Sequence, residues 1–338
     1  MITIGKPILE KRNDGYYLSA SYVDEKRNIS TDIWYRAINE GDLLSGVADA
    51  FLILAYLPAI KSQQDIRVDA PISESLLFHL RTELLYLFTK IYCPDTKSYI
   101  RIIAEPANDN VIGTRSSGVA CGCSLGVDSL SAIKRFSSDE ITSGYRLNLL
   151  TYFNVGAFGN DMSLASVAYK RTLPMIKEFS EKKCLPLITL ETNASILFEN
   201  DFSYEQTHTF RNASAVMALG KIIGRYYYSS SYAIDDFHVT SESVSYQDAY
   251  LLPLISTSYI EFISADADVS RTEKTRYICT DELTKSYLYV CWKDIFSNDD
   301  PAYGKYMESI PYLNCTRCDK CLRTALTLEI LGGGSTLF

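Results

Sequence analysis

The sequence predicts an α/β fold: a parallel sheet with helices on both faces, preceded by an N-terminal α+β portion and followed by a cysteine-rich C-terminal segment. Three observations carry this. From residue 118 onward, short apolar runs alternate with helical stretches, the rhythm of strand–helix–strand units whose crossovers cover a parallel sheet. Before residue 112 that rhythm is absent, and strand-like alternation gives way to two apolar helical stretches. Near the C-terminus, Cys315, Cys318 and Cys321 crowd into seven residues.

Taken in order, the first forty residues read as short strands, with residues 16–22 alternating after the turn signal Asn13-Asp14-Gly15. Residues 42–60 read as a largely apolar helix and 73–92 as a second. Ser73 opens the second in a capping-box-like position, and Leu76, Leu77, Leu80, Leu84, Leu87 and Phe88 share one of its faces. Residues 99–104 read as a strand, and the polar stretch 105–117 sets a boundary between an accessory domain, 1–112, and a second domain, 113–338. In the second domain, strands are expected at 118–123, 148–155, 185–191 and 225–232. Helices are expected at 129–136, 163–182 and 211–223. Ligands of such sheets bind at strand carboxyl ends, so the loops after Cys123, Val155, Glu191 and Tyr232 are the functional candidates.

Composition excludes several classes. Forty-one acidic against 33 basic residues give a net charge of −8. That argues against non-specific nucleic-acid binding, which draws its affinity from phosphate neutralisation. The longest apolar run, 48–60, is interrupted by Asp49 and Pro58 and is too short to span a bilayer, so no membrane role is expected. The charged first fifteen residues lack the apolar core of a secretory signal. Nine cysteines, an odd number, read as cytoplasmic thiols with a metal site and not as a disulfide scaffold.

The segment Cys123-Ser124-Leu125-Gly126-Val127-Asp128-Ser129 joins a strand to a helix and has the ingredients of an anion site. Small residues turn the backbone, N–H groups converge, and the helix start adds partial positive charge. Ser124 and Ser129 supply hydroxyls, and Asp128 is placed to hold Mg2+ against a polyphosphate. As an ordinary turn the same segment would need only Ser129 as a helix cap. Ser124–Ser129 resembles the Ser-Gly-Gly-x-Asp-Ser loop of the N-type ATP pyrophosphatases, the PP-loop superfamily, which bind ATP there and cut between its α and β phosphates. One departure is Leu125, which stands where the family has its first glycine; its Cβ is expected to crowd the phosphate.

Two successive two-residue gaps let Cys315, Cys318 and Cys321 converge on one tetrahedral Zn2+, with Cys291, 24 residues upstream, as the candidate fourth ligand. An iron–sulfur cluster is the alternative. Cys291-Trp292 followed by the run from Cys315 to Thr324 is similar to the structural zinc site of the 7-cyano-7-deazaguanine synthase subgroup, with residues 297–310 as an inserted loop. The stretch Ser270-Arg271-Thr-Glu-Lys274 resembles that subgroup's basic element. The resemblance covers residues 115–330 and leaves the N-terminal portion outside.

Arg271 and Lys274 are candidates to neutralise the β and γ phosphates as pyrophosphate leaves; otherwise they are solvated charges. His208 and Arg211, just before a helix, either contact substrate or phosphate or serve as cap and packing residues. Asn154 ends the second strand of this domain, where the resemblance implies the adenine. The function implied is an AMP-forming adenylating ligase that activates a carboxylate or amide oxygen of a small-molecule or protein substrate for attack by ammonia or an amine. The rivals are a sulfur transferase using Cys121, Cys123 or Cys184, and a nucleotide-binding module weakened by Leu125. A homodimer is among the assemblies this reading allows.

Overall fold

The computed structural model describes residues 1–37, 43–108, 114–159, 162–291 and 314–332. The start of the expected helix at residue 42, the boundary at 112/113, Trp292 and the expected loop 297–310 lie outside the described residues.

A large, mostly parallel sheet organises the chain. Its N-terminal strands are β1 (Ile2–Ile4), β2 (Ile8–Arg12), β3 (Gly15–Asp24) and β4 (Ile29–Ala37). Helix α1 (Asp49–Ser62) follows, then β5 (Ile66–Val68), β6 (Ile72–Ser73), α2 (Glu74–Arg81), α3 (Glu83–Tyr92), β7 (Ile102–Ile103) and β8 (Pro106–Ala107). The alternating part begins with β9 (Val119–Gly122), α4 (Val127–Phe136), β10 (Leu149–Asn154), α5 (Met162–Lys182) and β11 (Leu187–Thr192). It continues through α6 (His208–Ala218), β12 (Arg225–Ser229), α7 (Asp248–Leu254), β13 (Glu261–Ala265), α8 (Arg271–Ile278) and α9 (Glu282–Ser286) to α10 (Asp319–Ile330).

The sheet order is β13-β12-β9-β10-β11-β4-β3-β1-β5-β7, with β2 on β3 and a separate β6–β8 pair. From β13 to β11 every pairing is parallel. At β11 the sheet passes without a break into the N-terminal strands: β4 pairs antiparallel with it, Glu191 opposite Arg36.

Period-two alternation sends the strand side chains into two cores. Val119, Cys121, Leu150, Tyr152 and Tyr227 enter one core, with α4, α5 and the end of α10. Ala120, Phe153, Tyr226 and Phe262 enter the other, with α1, α2, α3, α6 and α7. Helices therefore cover both faces, and the described residues of 1–37 and 43–108 share a sheet and a core with the remainder. Helix α1 is buried on every side from Asp49 to Ile60, which explains its unbroken apolar sequence. It packs on α6, where Tyr56 stacks on Phe210. Among the described residues no helix is long and apolar enough to cross a membrane.

Several local expectations are corrected. The apolar helix begins at Asp49, not at 42. The helix expected at 73–92 is two helices broken at Thr82 (φ −124°, ψ −103°), whose hydroxyl donates to the Phe78 carbonyl at 2.7 Å and competes with the backbone ladder. Ser73 makes no capping bond; its hydroxyl donates to buried Asp49. The strand expected at 99–104 shrinks to Ile102–Ile103, and the helix expected from 211 starts at His208.

Candidate functional site

Strand β9 lies between β10 and β12, so the chain winds away from it in both directions, the point where open sheets leave a crevice at their carboxyl ends. A cavity of about 720 Å³ occupies that position. The strand-to-helix loop after β9 forms one side, Tyr204, Tyr226, Tyr228, Phe153 and Phe158 give it an aromatic wall, and Cys291, Asp319 and Lys320 border it further round.

The loop is held from inside. Leu125 adopts a left-handed conformation (φ 59°), its side chain is fully buried in the core, and its carbonyl accepts from the Tyr289 N–H at 2.9 Å. The leucine side chain thus points into the core and leaves the cavity side of the loop to its neighbours. Gly126 is the extended N-cap of α4. Ser124 Oγ and Ser129 Oγ lie 3.0 Å apart, and Ser129 donates to the Gly126 carbonyl at 3.1 Å.

Asp128 opens α4 and meets two cations from α8. Its Oδ2 accepts from Arg271 at 2.6 Å, and its Oδ1 is 3.7 Å from Lys274 Nζ. Helix α8 is aimed by a reciprocal capping box: Ser270 Oγ accepts from the Glu273 N–H, and the Ser270 N–H donates to Glu273. Lys274 is 1% exposed and donates to the Ser230 carbonyl at 2.5 Å. Burial lowers its pKa, and Asp128 opposes that shift. Asp128 Oδ1 is itself buried and accepts no hydrogen bond. A hard carboxylate oxygen with spare lone pairs fits Mg2+, which takes one or two carboxylates and completes its shell with water and phosphate oxygens. A helix start flanked by Arg271 and Lys274 gathers the positive charge that could hold a polyanion.

His208 lines the cavity, its Nδ1 2.5 Å from the Tyr228 hydroxyl and its Nε2 2.7 Å from Ser245 Oγ. Burial, then the charge of Arg211, pushes its pKa down to about 4, so the ring is neutral. Arg211 is buried behind the wall: it bonds Thr207 at 2.8 Å, reaches the Val155 carbonyl and Ser195 Oγ at 3.4 Å, and lies over the Phe198 ring. The chain must be glycine beside it, for a Cβ on Gly156 (φ +102°) would sit 2.1 Å from the guanidinium. Arg211 thus ties the loops after β10 and β11 together.

The sulfurs of Cys291, Cys315, Cys318 and Cys321 lie within 4.8 Å of one another, all four residues buried. Cys315 and Cys321 are 3.9 Å apart, against about 3.8 Å for the edge of a tetrahedron with 2.3 Å zinc–sulfur bonds. Asn314 brings in the remote member by accepting from the Val290 N–H and donating to the Leu288 carbonyl, both at 2.9 Å. The Cys318 N–H faces Cys315 Sγ and the Cys321 N–H faces Cys318 Sγ. The Cys291 hydrogen bond, followed by burial, pushes the Cys321 thiol far up. Four packed thiols ionise together only around a cation, so this set can bind a metal, and its donors suit Zn2+.

The structure thus gathers Ser124, Gly126, Asp128, Ser129, Arg271, His208 and Cys291 around one cavity, with Lys274 behind Asp128. Leu125 and Val127 are core residues that contribute backbone. Asn154 lines a different cavity and not this one. Sequence reading missed the aromatic wall and the rim residues Glu205, Asp319 and Lys320. The tyrosine-rich run at 226–228 was the available signal for the wall.

Compared with known proteins, the chain matches no family model, no curated protein and no solved structure.

Proposed function

We propose that the chain is an ATP-dependent adenylating enzyme of the PP-loop kind, with Zn2+ at the four cysteines. The observation that carries the reading is the convergence of Asp128, Arg271 and Lys274 at the start of α4, on a cavity with an aromatic wall. ATP's phosphates would lie over Ser124–Ser129. Mg2+ held at Asp128 would supply charge neutralisation and fix the phosphate geometry. Arg271 and Lys274 would stabilise the charge that builds on pyrophosphate as a substrate oxygen attacks the α-phosphate. The AMP left on that oxygen makes it a leaving group for ammonia or an amine.

The sulfur-transfer reading is weaker. Burial pushes the Cys121 thiol up to about 12 and Cys123 higher still, so neither is a ready thiolate. Cys184 precedes the amino end of β11, opposite the carboxyl ends that border the cavity.

The test is to incubate the protein with Mg-ATP and a metabolite extract and to follow nucleotides and new products by mass spectrometry. AMP with a new adenylate or amide supports the reading. ADP without AMP overturns it.

A further inference from the structure

The geometry points to a second ligand site, for a small zwitterion of the free amino acid class, at the seam where β11 meets β4. A cavity of about 320 Å³ lies there, separate from the nucleotide candidate. That volume is at the small end of the range for small-molecule sites. Trp34 and Arg36 reach it from β4, Asn154 from the end of β10, and Glu191 from β11.

Among the described residues, two buried atoms beside this cavity, on Arg36 and Glu191, are left without a partner, and the Asn154 side chain makes no hydrogen bond either. Asn154 is 7% exposed, and among the described residues its side-chain amide makes no hydrogen bond. Arg36 gives one terminal nitrogen to Glu191 at 2.8 Å and the other to Asp14 at 2.7 Å, but its buried Nε–H has no acceptor. Glu191 uses Oε2 on Arg36, and its buried Oε1 has no donor. Leaving a buried donor or acceptor unmade carries a full desolvation cost, so two beside one cavity, with the Asn154 amide next to them, call for an occupant.

The chemistry of that occupant follows from what each group lacks. Glu191 needs a donor and favours an ammonium. Arg36 needs an acceptor and favours a carboxylate. Asn154 offers both functions between them. A molecule carrying both charges on one small frame meets the three demands, whereas a phosphate or a lone cation meets only one charge. The Trp34 ring leaves an apolar side for a short side chain.

The experiment is a thermal-shift and calorimetric titration of the full-length protein with each proteinogenic amino acid in turn, nucleotide absent. At least one is expected to raise the melting temperature and give saturable heat. Asn154→Ala, which breaks no hydrogen bond made in the structure, should weaken that binding at least tenfold without lowering the unliganded melting temperature. Glu191→Gln should weaken it similarly. Asp128→Asn, in the other cavity, should leave it unchanged, so the outcome is independent of the adenylation reading. No response to any amino acid, as for a cavity holding only water, overturns the proposal. So does binding that Asn154→Ala and Glu191→Gln leave intact.

Discussion

The two ends of the large cavity are assembled in different ways. At the metal end, three of four thiols lie within seven residues, and amides within that turn face the sulfurs. Only Cys291 must be brought in, and Asn314 does so with two hydrogen bonds. At the end we propose for phosphate, Asp128 meets an arginine 143 residues away, delivered by the crossover from β13 into α8. One end is made mainly by local spacing and the other by topology. Failure of the first should therefore appear as lost metal and lost stability, and failure of the second as lost chemistry in an intact fold. The ends are joined as well, since α10 leaves the cysteines and packs on α8.

The largest effect is expected at the metal end. Structural zinc contributes about 10–16 kcal/mol to small zinc-dependent folds, so losing one thiolate should cost on the order of 5 kcal/mol here. Cys315→Ser is expected to lose its metal by elemental analysis and to melt well below the parent. Stoichiometric zinc in that variant, with unchanged melting, would remove Cys315 from the ligand set, and a parent protein without zinc would remove the metal itself. Cys291→Ser should behave similarly, because no neighbouring residue among those described duplicates its thiol in the cluster.

Buried titrating groups along the α6 wall should give the next largest effect. His208 is held at about 4, below its ordinary 6.5, so unfolding takes up a proton between those values and its contribution is lost as pH falls from 6.5 to 4. Asp248, fully buried, is pushed up to about 7 by desolvation, so its protonated form is favoured and stability is lost as pH rises from about 4 to 7. The two contributions are about 3 and 4 kcal/mol and oppose each other. Asp248→Asn is expected to show stability climbing with pH from 4 to 6.5, and His208→Gln stability falling over the same interval. Denaturant melts at each pH check this; parallel curves for both variants would contradict it.

At the phosphate end, Asp128→Asn should slow AMP formation about a hundredfold, near 3 kcal/mol of transition-state stabilisation. The pair with Arg271 is partly exposed and contributes little to stability, but the variant also takes a counter-charge from buried Lys274, so the melting temperature should fall while the fold stays intact. A rate near that of the parent would detach this loop from the chemistry. Leu125→Gly separates strain from burial at the same loop and is the smallest effect. It relieves about 1 kcal/mol of left-handed strain and forfeits about 2–3 kcal/mol of buried leucine, a net destabilisation of about 1–2 kcal/mol. A more stable variant would mean the leucine is not needed in the core.

Much of this was legible from residues alone. The strand–helix rhythm after residue 118 announced the parallel sheet, because apolar periodicity is a property of each segment by itself. The cysteine spacing announced a thiol cluster able to bind a metal for the same reason, and Asp128 and Ser129 could be read as the start of a helix. What no local pattern carried was pairing between segments far apart in the chain. That the N-terminal strands extend the same sheet through Arg36 and Glu191 depends on which edge of β11 was left open. That Leu125 turns into the core while Asn154 turns away from the aromatic wall depends on backbone conformation and on which face each strand residue is given. Local propensity acts over a few residues and was enough for the strand–helix rhythm and the three-cysteine run, but not for the break at Thr82 or the strand Glu261–Ala265. The cavities belong to surfaces that exist only after strands from opposite ends of the chain have paired, so tertiary packing alone decided where Arg271, Lys274, Asn154 and Glu191 came to face.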